Sequence, residues 1–187
     1  LPRTLDTTWD VIELMAELRH NDEHKKENKE VEILIIDFED AFWQLPTLEE
    51  EPVFLVGTLR GKFFIFLRAA QGSRGAPFLW GRLVALLNRL AGAMHDSKHY
   101  RCNVYVDDPI LAALGTASER RRMLCKTVLA WTGLGFRLAF HKAASGTKGV
   151  PVTWTSAVYT LGHDCLVVAV KDSIIQAVRE DVQRMLK

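Results

Sequence analysis

Residues 102–114 read CNVYVDDPILAAL: two adjacent aspartates, Asp107 and Asp108, stand at the join of two apolar runs. NVYV and PILAA have the character of strands, which puts the aspartates in the turn between them. That feature commits this part of the chain to a hairpin with two negative charges at its tip. Aspartate suits turns for its own reasons, and adjacent carboxylates repel each other where water is scarce. A plain turn and a site that uses the charge both account for the pair, so the rest of the chain has to separate them.

The surrounding patterns narrow the fold. VEILIIDF (31–38) is a short, β-branched, nearly continuous apolar run that suits a buried strand. APFLWGRLVALLNRLAG (76–92) carries Pro77 near its start and Leu79, Leu83, Leu86, Leu87 and Leu90 at helical spacing. TASERRRMLCKTVLAWTG opens with Thr116 and Glu119 as a capping box and closes at Gly133. FRLAF (136–140) reads as a strand. The order is strand, helix, strand-turn-strand, helix, strand, which is that of a ferredoxin-like split βαβ core. It predicts an α+β fold: an antiparallel sheet with two helices on one face, and the first strand beside the aspartate hairpin at the centre. VFLVGTL and KFFIFLRA flank Arg60-Gly61 as an inserted hairpin.

Outside this core, TLDTTWDVIELMAELRH is helical, with a Thr7–Asp10 capping pattern and a stripe of Val11, Leu14, Met15 and Leu18. NDEHKKENKE (21–30) is a solvated charge run. VTWTSAV (152–158) and DCLVVAV (164–170) are two further strand candidates. The last helix is capped by Asp172 and lines up Ile175, Val178, Val182 and Met185. Three units result: a helix and charged loop over 1–30, the core over 31–170, and a helix over 171–187. Trp9, Trp80 and Trp131 fall on apolar helix faces and read as core. The six histidines show no ligand spacing.

This topology brings Asp37 to the same sheet edge as Asp107 and Asp108. Three converging carboxylates cost several kcal/mol of repulsion in a poorly solvated site. Cations among them would remove that cost. Oxygen ligands, few in number and with room for water and phosphate, describe Mg²⁺. Two such ions about 4 Å apart suit an in-line phosphoryl transfer. A receiver-type aspartate cluster needs a parallel sheet, which the hairpin at 103–113 argues against.

Composition bounds the rest. The net charge of +1 neither requires nor excludes a nucleic-acid partner. Cys102, Cys125 and Cys165 are scattered, as in reduced intracellular proteins of cytoplasm or nucleus. Arg60, Lys62 and Arg68 interrupt the most apolar region, so no membrane span is expected. The opening Leu1-Pro2 and the closing VQRMLK suggest a piece of a longer protein.

YVDD (105–108) resembles the catalytic turn of reverse transcriptases. IIDFEDAFWQLP (35–46), AAQGSRGAPFLWGRL (69–83) and LGFRLAFHKAASG (134–146) resemble the neighbouring palm motifs of that family, in the same order. The resemblance spans roughly residues 5–170 and is closest to a retrotransposon-type palm from a Pol polyprotein. It implies an RNA-directed DNA polymerase palm, with 1–30 at the fingers junction and 171–187 opening a thumb. It implies two Mg²⁺ or Mn²⁺ ions on Asp37, Asp107 and Asp108, with the Phe38 carbonyl as a further ligand. Lys142 would sit by the leaving pyrophosphate, and Phe42 would exclude a 2′-hydroxyl. Gln71 and Gly72 would line the nucleotide and template pocket, and Tyr105 would lie by the primer terminus. Trp154 and YTLGH (159–163) compete for the primer grip. Implied partners are a primed RNA or DNA template, deoxynucleoside triphosphates and the rest of a Pol-type polyprotein.

Departures are visible too. Pro109 stands where the family has an aliphatic residue, Ala69-Ala70 stands where Leu-Pro is usual, and most of the fingers and the thumb have no counterpart here. An inactive relic that only binds nucleic acid or a partner is the alternative expectation.

Overall fold

The computed structural model describes residues 3–20, 27–50, 55–163 and 165–185. Most of the 21–30 charge run, the first two residues of VFLVGTL, Asp164 and the last two residues of the final helix lie outside them. In chain order the elements are α1 (Arg3–His20), β1 (Glu30–Ile35), β2 (Val56–Leu59), β3 (Lys62–Ile65), α2 (Ala76–Ala93), β4 (Tyr100–Tyr105), β5 (Asp108–Gly115), α3 (Ala117–Gly133), β6 (Ala144–Gly146), β7 (Val152–Trp154), β8 (Ala157–Leu161), β9 (Leu166–Val170) and α4 (Asp172–Met185). Short 3₁₀ turns cover Ala41–Gln44 and Phe140–Lys142.

The central sheet has the order β4-β5-β1-β6, antiparallel throughout. It is the antiparallel α+β arrangement expected, with β1 beside the aspartate hairpin at the centre. Strand β5 is apolar on two sides because the sheet is a middle layer, whereas β1 alternates Glu30 and Glu32 with buried Val31 and Ile33. Leu111 and Ala113 pack with Trp80, Leu87, Leu124 and Trp131 of α2 and α3. Ile110, Ala112 and Leu114, with Val31, Ile33 and Ile35, pack on the other face against Val11 and Leu14 of α1 and Trp154, Tyr159 and Leu161 of β7 and β8. A strand covered on both faces has no reason to alternate with polar residues. The β7-β8-β9 sheet approaches closely at Gly146, where an added Cβ would lie 2.9 Å from the Val150 carbonyl oxygen.

Helix α3 begins as expected. Glu119 N–H donates to Thr116 Oγ1 at 3.4 Å and Thr116 N–H donates to Glu119 Oε2 at 2.7 Å, a cap of about 1 kcal/mol. Arg120, only 6% exposed, ties this helix to β1 and β5. Its guanidinium donates to Glu32 at 3.0 Å and to the Gly115 carbonyl at 2.7 Å.

Four expectations need correction. FRLAF is not a strand: Leu138 makes one bridge to Phe38, and the chain then turns through Phe140–Lys142. The fourth strand is β6, which pairs with Ile33–Ile35. Helix α1 starts at Arg3, so Thr7 lies inside it and does not cap it. Trp9 is 62% exposed, because Val11 and Leu14 take the buried face. On α2 the buried face is Ala76, Trp80, Val84, Leu87 and Ala91, while Leu79, Leu86 and Leu90 point outward. The indole of Trp80 fills the space beside Phe38 (ring centroids 5.3 Å apart) and sets the helix rotation.

Candidate active site

The register of β1 on β5 pairs Ile35 with Ile110. Pairing continues past the strand end: Ile36 N–H donates to the Pro109 carbonyl at 3.2 Å and Phe38 N–H to the Asp107 carbonyl at 2.9 Å. Asp37 therefore faces Asp108 at the non-hydrogen-bonded position between them, where Cα atoms approach to about 4.5 Å and side chains are closest. Tyr105 pairs with Asp108 from the other side. By the two-residue period of a strand, Asp37 and Asp108 share the face of Ile35 and Ile110.

The turn itself is strained. Val106 has φ of 56°, a left-handed conformation that a β-branched residue rarely adopts. Four successive carbonyls hold this stretch: Val106 accepts from Trp80 Nε1 at 2.7 Å, Asp107 from Phe38 N, Asp108 from Trp154 Nε1 at 3.0 Å and Pro109 from Ile36 N. Pro109 keeps its acceptor role although it has no N–H to return to Ile36.

Asp37, Asp107, Asp108 and Lys142 line one cavity of about 390 Å³ with Ile35, Ile36 and Thr153. Lys142 Nζ lies 2.5 Å from Asp37 Oδ2. The 3₁₀ turn at Phe140–Lys142, secured by Ala139 N–H donating to the Asp37 carbonyl at 2.8 Å, delivers it there. Partial burial raises the Asp107 carboxyl above the usual range, and the Asp37 charge raises it further. Burial raises Asp108 as well, followed by the charges of Asp37 and Asp107. Lys142 offsets part of both shifts, and its own pKa is raised by the hydrogen bond to Asp37. Mutual repulsion is thus real here and only partly compensated.

Among the described residues, no group of three His, Cys, Asp or Glu side chains is already arranged to hold a metal ion. The donor set suits a hard cation all the same: carboxylates in a shared cavity, with room beside them. Their side chains would have to draw together, and Asp37 would have to exchange its ammonium partner.

The other expected site residues are placed differently. Phe38 is 1% exposed and its ring is core, packed on Trp80 and Trp131, so only its backbone can face a ligand. Phe42 is half-buried in the 3₁₀ turn after Asp37 and packs against the helix-side core. Gln71 and Gly72 are exposed on the turn before α2, with Gly72 at φ of 91°. Tyr105 is 46% exposed. None of these five lines the carboxylate cavity. Trp154 is 1% exposed and spends its N–H on the Asp108 carbonyl. Its contact with the turn, like that of Trp80, has no signal in the sequence.

No family model matches the chain, and no curated protein matches it. Solved structures do. It is similar to the foamy viral protease-reverse transcriptase in complex with an RNA/DNA hybrid (TM-score 0.64, 20% identity, 83% of this chain and 20% of that one). It is also similar to a foamy viral protease-reverse transcriptase, dRH form, in complex with double-stranded DNA (TM-score 0.61, 22% identity, 74% of this chain and 22% of that one). A native prototype foamy virus protease-reverse transcriptase gives a TM-score of 0.53 at 22% identity, over 67% of this chain and 18% of that one. The chain spans about a fifth of the length of these proteins. The fold is that of a reverse-transcriptase region. No helix among the described residues is long and apolar enough to cross a membrane.

Proposed function

We propose that the chain is the palm of an RNA-directed DNA polymerase from a Pol-type polyprotein, transferring a nucleotide from a deoxynucleoside triphosphate to a primer 3′-hydroxyl. The observation that carries this reading is the facing pair Asp37 and Asp108, with Asp107 beside them in one cavity. Such a costly placement makes sense where positive charge is to be received. Asp37, Asp107 and Asp108 would hold two Mg²⁺ or Mn²⁺ ions, with the Phe38 carbonyl assisting. When bound, these ions supply charge neutralisation at the attacking and departing oxygens. Lys142 stands at the cavity wall, where its ammonium can pair with a leaving pyrophosphate and hand it a proton. Phe42 offers an aromatic wall to the sugar. Gln71, Gly72 and Tyr105 are exposed outside the cavity and in this reading would contact nucleotide, template and primer.

A relic that binds nucleic acid without catalysis is the second reading. Lys142 on Asp37 and Pro109 after the aspartates favour it. Primer extension on an RNA template with Mg²⁺ or Mn²⁺ decides, run on this chain and on the chain within its natural flanking sequence. Extension that disappears with Asp107→Asn supports the polymerase. A folded protein that extends no primer in either form sinks it.

A further inference from the structure

We infer that Trp80 and Trp154 are positioning residues for the aspartate turn, a reading that rests on the proposed polymerase function. They come from opposite sides of the sheet. Trp80 belongs to α2 in the helix-side core and is fully buried. Trp154 ends β7 in the core on the other face and is 1% exposed. Each indole has a single polar atom, a donor. Each spends it on the turn, at the carbonyls of Val106 and Asp108, the residues on either side of Asp107.

The arrangement goes beyond what packing requires. A Phe or Leu would fill either apolar site, and a buried indole N–H could be satisfied by any nearby carbonyl. Here both choose the turn whose first loop residue, Val106, is held at φ of 56°. Strain at such a residue persists only where neighbours over-determine it. The backbone just after β1 holds the alternate carbonyls, those of Asp107 and Pro109, through Phe38 and Ile36. Together the four bonds fix the peptide planes from which both carboxylates project. Trp80 holds the strained side of Asp107, and Trp154 holds the peptide that follows Asp108.

The test replaces each indole by 3-benzothienylalanine, which keeps the bicyclic shape and lacks the N–H, with Trp80→Phe and Trp154→Phe beside it. Two readouts need no catalysis: ¹⁵N relaxation and amide exchange at Val106, Asp107, Asp108 and Phe38, and Mn²⁺ affinity by electron paramagnetic resonance. Loss of order at the turn, with Mn²⁺ affinity 5- to 10-fold weaker and the fold intact by circular dichroism, is the expected result. In primer extension the rate constant should fall at least 10-fold while KM for nucleotide stays within about 3-fold. An unchanged turn, or a lower melting temperature with unaltered turn dynamics, overturns the proposal and leaves both indoles as core. If the natural protein binds no Mn²⁺ and extends no primer, the polymerase reading falls, and the order of the turn alone still decides the clamp.

Discussion

Asp37 and Asp108 face each other directly across β1 and β5, flanked by the Ile36–Pro109 and Phe38–Asp107 hydrogen bonds. Like charges at this position destabilise a sheet. Asp107 and Asp108 titrate above the ordinary carboxylate range. A carboxyl raised in the folded state contributes stability below its unfolded pKa and loses it as pH rises through the folded value. At neutral pH both charges therefore oppose folding. Asp108→Asn and Asp107→Asn should raise the melting temperature at pH 7 by about 1–3 °C, a contribution reduced by solvent screening. The gain should disappear near pH 3, where the native carboxyls are already neutral. Calorimetry across that range is the check, and primer extension should fall by about 10³-fold or more in both variants.

Among the described residues, Lys142 is the only cation lining the cavity, and it sits on Asp37. Lys142→Met removes the charge that holds Asp107 and Asp108 down. Their pKa values should rise further, so the acidic limb of the pH–rate profile should move to higher pH. If the ammonium also serves the leaving group, the extension rate should fall by about 10²-fold. Lys142→Arg should restore the position of the acidic limb, and more of the charge effect than of the proton transfer. A profile identical to the native one would remove Lys142 from the site.

Phe42 begins its role as structure: half-buried, it packs on the helix-side core just after Asp37. Phe42→Val should cost about 1–2 kcal/mol of stability. It should also let ribonucleotides compete, lowering discrimination against them by about 10- to 100-fold, the scale of one steric contact. Incorporation ratios for paired deoxy- and ribonucleotides measure this directly. Loss of stability with unchanged discrimination would mean that Phe42 is core alone.

Much of this architecture is legible in the sequence because periodicity reports burial. The apolar run of β5 announces a strand covered on both faces, and the element order then brings Asp37 to Asp108. The capping box at Thr116 and Glu119 is equally plain. What stays hidden is set by tertiary choice. Leucine spacing on α2 suggests a face that Trp80 overrules, since one large ring beside Phe38 fixes the helix rotation. FRLAF has strand composition, yet only Leu138 finds a partner before the turn that carries Lys142 inward. Trp9 reads as core and Trp154 as a primer-grip candidate. One is exposed, and the other is buried and bonded to Asp108, a difference that depends on which face the second sheet covers.

Pro109 separates the two functional readings. It sits in a strand paired on both sides, where proline is rarely found. Its carbonyl still accepts from Ile36, and only the returning N–H is missing. Pro109→Val restores a donor worth about 1 kcal/mol and gives up about 0.4–1 kcal/mol of unfolded-state restriction. These nearly cancel, so the melting temperature should move by no more than about 2 °C. The new amide at 109 should be strongly protected in hydrogen exchange, which confirms the ladder bond. If the site is a working one, the proline is already accommodated by the four-carbonyl turn, and the extension rate of Pro109→Val should stay within about 3-fold of the native chain. A silent native chain that Pro109→Val brings to life would instead identify the proline as the lesion of a relic.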